Sequence, residues 1–406
     1  SRARPPRALH ATRSAIPSPL KRQSARFPIL TGMDERVLAE RLITYDTSQP
    51  DGLRAAAGFV KGWLEARDVD VSGRDHGGLP VILADVGATG DDAPCLVLHG
   101  HLDVVPGRPE QFTPRVEGDR LIGRGAYDMK GGLAAMMCAV RDAAAQDQVR
   151  VRFVCVPDEE SEDVDSRSTE VLVEEGLGAD FAITGEPTDL HIGVQAKGVL
   201  LARLQISGTA AHGSTPWLGD NAVLKAIDVF RAIESLPFAR ESTELFDRPS
   251  INLGRISGGD AVNKVPDLCT MDVDIRYLPG QEPGALLADI RQIPDVEVVK
   301  TFMRVPAFVA PSNPYVQALT SAVSRSIDGE ALSVGRDGAS DAIAFLDRGI
   351  PAVEFGPRGG GHHGPDEWVS IASLAEYRVA LGDFIAALPA ALAPGPGLRA
   401  VEGEPG

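Results

Sequence analysis

The chain has 406 residues, 43% of them hydrophobic and 24% charged, with a formal net charge of −17. That length exceeds one compact core and points to two domains, while the composition is that of an ordinary globular protein. The acidic balance argues against a nucleic-acid backbone or an anionic membrane as the main partner.

Residues 1–32 run against that balance. They hold seven basic residues (Arg2, Arg4, Arg7, Arg13, Lys21, Arg22, Arg26) and no acidic ones, so the remainder carries −24. This Ser- and Pro-rich leader lacks the apolar core of a signal peptide. It is read as a disordered extension or a misplaced start rather than an organelle transit segment, because a clean helix pattern opens after Met33. Apolar residues then recur at helical spacing over Asp34 to about Ile43 and again from about Gly52 to Ala66. Strand-like runs follow at Leu79–Asp85 and Ala93–Leu98. A helix is expected from about Lys130 to Gln146, with Leu133, Met136, Met137 and Val140 on one face, before strands at Val149–Val156 and Asp180–Thr184.

The middle reads differently. Gly198–Ser207 and Cys269–Tyr277 alternate with the period of half-exposed strands, and helices are expected near Ala222–Ile233 and Pro283–Arg291. After about residue 310 the earlier rhythm returns, with a helix near Asn313–Ser326, strand Ala331–Val334, helix Ser340–Asp347, strand Ala352–Phe355 and a last helix near Ser373–Ala390. The expected architecture is thus α/β, a mostly parallel sheet flanked by helices, with an inserted α+β lid or dimerisation domain. The boundaries are 1–32 leader, 33–194 and 305–391 for the two parts of the larger domain, 195–304 for the insert and 392–406 for a Pro/Gly-rich, disordered tail. No apolar run has the length of a bilayer span. Cys95, Cys138, Cys155 and Cys269 show no paired spacing, which suits a reducing, cytoplasmic setting.

Five potential metal ligands punctuate this pattern: His101, Asp128, Glu160, Glu186 and His363. All but Asp128 come shortly after an expected strand of the larger domain, and the carboxyl ends of parallel strands form a ligand crevice. His101 is followed two residues on by Asp103, a carboxylate placed to fix the imidazole tautomer. Asp128 lies between Gly123-Arg-Gly and Gly131-Gly132 at the start of a helix. It is either an N-cap or a carboxylate lending one oxygen to each of two metals. The flanking glycines, which permit close backbone approach, favour the second. In Asp158-Glu159-Glu160, one glutamate can ligate while the other holds an attacking water, and spacing does not say which. Glu186 sits in a turn stiffened by Pro187. His362 and His363 share a glycine-rich loop. Carboxylates and imidazoles without a nearby thiolate suit a catalytic zinc site rather than a structural one.

In order, His101-x-Asp103, Gly125-Ala-Tyr-Asp128-Met-Lys-Gly-Gly, Asp158-Glu-Glu160, Gly185-Glu-Pro-Thr188 and His363-x-Pro-Asp-Glu367 resemble the acetylornithine deacetylase / succinyl-diaminopimelate desuccinylase family of dizinc amidohydrolases. Glutamate carboxypeptidases and aminoacylases share that fold. The resemblance spans about residues 34–390. It implies one zinc on His101 and Glu186, a second on Glu160 and His363, and Asp128 between them, with cobalt or manganese as alternative metals. It further implies that Asp103 supports His101 and that Glu159 is the general base. His363 is chosen over His362 because it keeps the family's spacing to Pro365-Asp366-Glu367.

Within the insert, His212 in Gly-Thr-Ala-Ala-His-Gly-Ser resembles a lid histidine that steadies the oxyanion in the partner subunit, which implies a homodimer. Asn263 and Arg276 resemble substrate-contacting lid residues. Arg276 is open to two readings, a clamp on a substrate carboxylate or an ordinary strand arginine. One departure stands out: after Asp158-Glu159-Glu160 the family continues with glycines, whereas this chain has Ser161-Glu-Asp-Val-Asp-Ser-Arg-Ser168. The expected activity is hydrolysis of the amide of an N-acyl amino acid. A carboxypeptidase or dipeptidase acting on a short peptide is the near alternative, and a non-catalytic binding protein on the same scaffold the remote one.

Overall fold

The computed structural model describes residues 34–392, apart from 91, 162–165, 328–329 and 339. The leader expected at 1–32 and nearly all of the tail lie outside the described residues. Two compact units divide the described residues: a smaller one of residues 193–308 with 333–338, and a larger one of residues 34–192, 309–332 and 340–392.

The larger unit opens with α1 (Asp34–Ile43) and α2 (Pro50–Glu65). Pro50 starts α2 where its missing N–H costs nothing, and Leu53, Ala56, Ala57, Val60 and Leu64 form its buried stripe. Strands β1 (Val71–His76), β2 (Leu79–Gly87), β3 (Cys95–His101), β4 (Arg115–Glu117) and β5 (Arg120–Ile122) precede α3 (Gly131–Ala143), then β6 (Arg150–Val156), α4 (Ser168–Glu174) and β7 (Phe181–Thr184).

The smaller unit contributes β8 (Ile192–Ala196), β9 (Gly198–Ser207), α5 (Ala222–Glu234), β10 (Ser250–Gly258), β11 (Leu268–Tyr277), α6 (Pro283–Arg291), β12 (Val296–Arg304) and β13 (Ala307–Phe308). The chain returns through α7 (Pro314–Ser326), then β14 (Ser333–Arg336) of the smaller unit, α8 (Ala342–Leu346), β15 (Ala352–Glu354), β16 (Gly359–Gly360), β17 (Trp368–Ser370) and α9 (Ile371–Leu392).

In the larger unit the strand order is β1-β2-β6-β3-β7-β15. Strands β6, β3, β7 and β15 run parallel, and the β1–β2 hairpin joins antiparallel at the β6 side. The sheet is therefore mixed, with a parallel centre. The four parallel strands are apolar nearly throughout, as strands covered on both faces must be, and their carboxyl ends share one rim. Helix α3 is buried on all sides. Its close seat depends on glycine: a Cβ on Gly132 would stand 2.7 Å from the carbonyl oxygen of Gly185. That contact brings the turn carrying Glu186 against the start of α3. A second, small sheet in the order β16-β17-β5-β4 supports the loop that carries the histidine pair.

The smaller unit has a four-stranded antiparallel sheet in the order β10-β11-β9-β12. Burial alternates along β11 from Cys269 to Tyr277. Leu204, Ile206, Met271 and Ile275 pack with Ala226 and Ile233 of α5 and Leu286 and Ile290 of α6. The opposite sheet face is polar or partly exposed. Among the described residues no helix is long and apolar enough to cross a membrane.

Candidate metal centre

Each of the five sequence-selected ligands sits at the rim formed by the strand ends. His101 is the last residue of β3, which ends three residues later than the sequence suggested, and is 1% exposed. Its Nδ1 lies 3.0 Å from the backbone carbonyl oxygen of Asp103 and 3.4 Å from that residue's Oδ1. The carbonyl must receive an N–H, so Nε2 is left to face the site. The Asp103 carboxylate has further work: Oδ1 accepts the Glu159 N–H at 3.1 Å and Oδ2 the Glu160 N–H at 2.7 Å. One side chain thus orients the imidazole and fixes the backbone of the paired glutamates.

Asp128 lies in an irregular turn before α3, and the peptide bond to Met129 is cis. Its two carboxylate oxygens face different groups. Oδ1 is 3.0 Å from His101 Nε2, which also lies 3.8 Å from Glu186 Oε1. Oδ2 contacts His362 Nε2 and lies 3.4 Å from His363 Nε2. His363 Nε2 is in turn 2.8 Å from Glu160 Oε1. Glu159 hydrogen-bonds to Arg167 rather than to these imidazoles: its Oε1 accepts from Arg167 Nη1 at 2.7 Å, although the charge of His101 still acts on it. Arg167 also reaches Asp341 Oδ1 at 3.3 Å.

Beneath Asp128 lies Glu367, 1% exposed. Its carboxylate accepts from Arg124 Nη1 (2.6 Å) and from the N–H groups of Gly125 (3.1 Å), Tyr127 (2.9 Å) and Asp128 (3.0 Å). Arg124 Nη2 donates to the carbonyl of His363 at 3.1 Å. Sequence reasoning used Glu367 only as a spacing mark and passed over Arg124, Arg167, Asp341 and the approach of His362. The Pro-Asp-Glu run was the available signal for Glu367; nothing local marked the two arginines.

The donor set fits divalent metal. Oxygen and nitrogen atoms of His101, Asp128 and Glu186 lie within 4.8 Å of one another, as do those of Asp128, His362 and His363. The electrostatics point the same way. Burial, then the neighbouring Asp128, pushes Glu186 well above the usual carboxylate range. Burial, then Asp341, pushes Glu159 up to about 8. Burial opposes ionisation of Asp128, yet the imidazoles of His101, His362 and His363 hold its carboxyl well below the ordinary value. So much buried negative charge with few fixed cations calls for positive charge from outside the chain.

The three residues expected to serve a lid belong to the smaller unit. His212 is exposed, its Nδ1 2.7 Å from Ser214 Oγ. Asn263 is also exposed, and its carbonyl accepts the N–H of Gly213 at 2.7 Å. The loops carrying His212 and Asn263 are therefore tied together. Arg276 is half-buried and grips Asp274 through Nε (2.8 Å) and Nη2 (3.1 Å).

Fold and donor set together define a metal-dependent hydrolase acting on amides. The chain belongs to peptidase family M20/M25/M40, whose model matches residues 97–387. The succinyl-diaminopimelate desuccinylase of Magnetococcus marinus is 32% identical over 299 residues, 68% of this chain and 78% of that protein. The enzyme of the same name from Paracidovorax citrulli is 29% identical over 377 residues, 83% and 93% of the two chains. Among solved structures, aminopeptidase PepT of Bacillus cereus superposes with a TM-score of 0.71 at 21% identity, covering 88% of this chain and 99% of its own. An M20 family metallo-carboxypeptidase of Sulfolobus solfataricus gives 0.71 at 18%, covering 88% and 99%. At such identities the structures speak for the fold alone.

The charge balance predicts how metal and pH act on stability. The Glu159 pKa is raised from about 4.3 to about 8 when folded. Its protonated form therefore favours the fold below about pH 4.3, and that contribution is lost as pH rises towards about 8. His363, held up to about 10 by Asp128 and Glu160, contributes fully below about 6.5 and loses its share above it. Both signs agree, so chelator-treated protein should melt lower at pH 8 than at pH 6. Metal binding requires deprotonated ligands, so the rise in Tm on adding Zn2+ should be larger at pH 8. Scanning calorimetry at both pH values checks this; an equal Zn2+-induced rise at the two would contradict it.

Proposed function

We propose that the chain is a two-metal deacylase that hydrolyses the amide of an N-acyl amino acid, with two Zn2+ as resident ions and Co2+ or Mn2+ as functional substitutes. One observation carries the reading. Asp103 holds the backbone of two adjacent glutamates, of which Glu160 meets His363 in the ligand cluster while Glu159 pairs with Arg167. A ligand and a carboxylate left outside the ligand set are thereby separated at consecutive positions.

His101, Asp128 and Glu186 would hold one ion; Asp128, Glu160 and His363 would hold the other. Such a pair supplies Lewis acidity towards the amide carbonyl and acidifies water towards neutrality. The chain's own part is proton management. Glu159 takes the proton from the attacking water and returns it to the leaving amine, and Arg167 fixes its orientation at 2.7 Å. His212 of the neighbouring subunit would donate to the developing oxyanion, with Asn263 beside it. Arg276 would take a substrate carboxylate only by giving up part of its grip on Asp274.

A homodimer follows from the use of His212. Supporting it, the smaller unit exposes Trp217 (76%), Leu218 (70%), Leu224 (61%) and Ile227 (44%) on and just before α5, an apolar set that a second copy would cover. The relatives' names suggest N-succinyl-diaminopimelate as the first substrate to try. Side-by-side assays of N-succinyl-diaminopimelate, N-acetylornithine and a dipeptide panel test the reading. Preference for an N-acyl amino acid is the expected result. Cleavage of dipeptides alone would replace the deacylase with a peptidase.

A further inference from the structure

The glycine-rich loop carries two imidazoles, and only one of them has so far been given a role. His362 and His363 are consecutive, yet their Nε2 atoms converge on the same oxygen, Asp128 Oδ2. Adjacent side chains in extended backbone point to opposite sides. Here the backbone prevents that: Gly361 and His363 both adopt left-handed conformations (φ 73° and 57°). The two rings consequently stand 4.3 Å apart, inclined at 67°. The loop is also anchored rather than merely exposed. Gly364 donates to the carbonyl of Gly361 at 2.7 Å, Gln111 Nε2 donates to the carbonyl of Gly364 at 3.2 Å, and Arg124 holds the carbonyl of His363. Tyr127 meets the His362 ring edge-on at 6.2 Å.

The geometry points to His362 as a further ligand of the outer ion, acting with His363, Glu160 and Asp128 Oδ2. This rests on the two-metal reading above and deepens it. The two ion sites would then differ in kind. The inner one, around His101, Asp128 Oδ1 and Glu186, is buried and offers one nitrogen with two carboxylates. The outer one is accessible and offers two nitrogens with two carboxylates. Imidazole favours Zn2+ and its later first-row neighbours over Mg2+ or Mn2+, so the outer site would be the more selective for zinc-like ions. Both histidines are about half exposed, so removing either ring leaves no cavity in the core.

The test is a Co2+ titration of chelator-treated protein, followed by d–d absorption and by competition with a chelating dye. Wild type and His362→Ala are compared, with His363→Ala as a reference for loss of an outer ligand. The inference expects two equivalents bound by wild type. In His362→Ala one of the two equivalents should bind unchanged, the other should weaken by about 10-fold or more, and the spectrum of that weakened equivalent should lose intensity or shift. Wild-type affinity and spectrum for both equivalents in His362→Ala would overturn it, leaving His362 a surface histidine and the two-metal reading intact. A wild-type protein that takes up no second equivalent would overturn the inference and the reading together.

Discussion

Glu159→Gln should lower kcat by roughly 10²–10⁴-fold, the span ascribed to a positioned general base, while leaving the metal content of the protein as it is. Gln matches Glu in size and keeps an oxygen for Arg167, but it cannot take a proton from water. Glu159 makes no contact with the imidazoles, so its replacement leaves the ligand set whole. Elemental analysis and kinetics on one preparation check both halves. A fully active variant would remove Glu159 from the mechanism. The same variant probes the shared site. In mixed dimers with His212→Ala, one site regains both an intact Glu159 and an intact partner His212. Random exchange of equal amounts should then restore about a quarter of wild-type activity if the two-fold arrangement holds. No recovery after demonstrated subunit exchange would argue against His212 acting across the interface.

Legibility in the sequence followed burial. Strand β9 and strand β11 have one buried face, so alternation alone placed them to within a residue. Helix α3 was legible in its existence, although it ends three residues earlier than expected, is buried all round, and its amphipathic stripe is incidental. Strand β1 went unseen because only Val71 of its six residues is buried and an edge strand needs no second apolar position. Strand β10 is exposed along most of its length and left as little trace. Four of the five candidate ligands were legible because each lies at or after the carboxyl end of a parallel strand, whereas Asp128, in the turn before α3, was legible only by its flanking glycines. Arg167 and Asp341, 174 residues apart in sequence, meet only through the fold. The Asp274–Arg276 pair is a different case. Residues two apart on a strand share a face, so the grip that competes with a substrate clamp was readable from Asp-Ile-Arg itself.

The largest structural effect is expected at Glu367, which touches no candidate ligand by its side chain except through the Asp128 backbone. Glu367→Ala removes the partner of Arg124, a guanidinium only 3% exposed, and strips the acceptor from three backbone N–H groups. Leaving a buried charge unpaired costs about 3–5 kcal/mol, and the orphaned amides add to that. A fall in Tm on the order of 5–10 °C follows for a domain of this size. The consequence for the centre is separable from the loss of stability. Glu367 holds the turn that aims Asp128, and Arg124 holds the carbonyl of His363, so one carboxylate anchors ligands from both ends of the larger unit's sequence. Measured well below the lowered Tm, Glu367→Ala should bind Co2+ about 10-fold or more weakly. Glu367→Gln, which keeps one acceptor oxygen but loses the charge opposite Arg124, should fall between. Wild-type melting in Glu367→Ala would show that the buried pair contributes nothing to the fold. Normal melting with weakened Co2+ binding would instead confine Glu367 to positioning the candidate ligands, through the Asp128 N–H and through Arg124 on the carbonyl of His363.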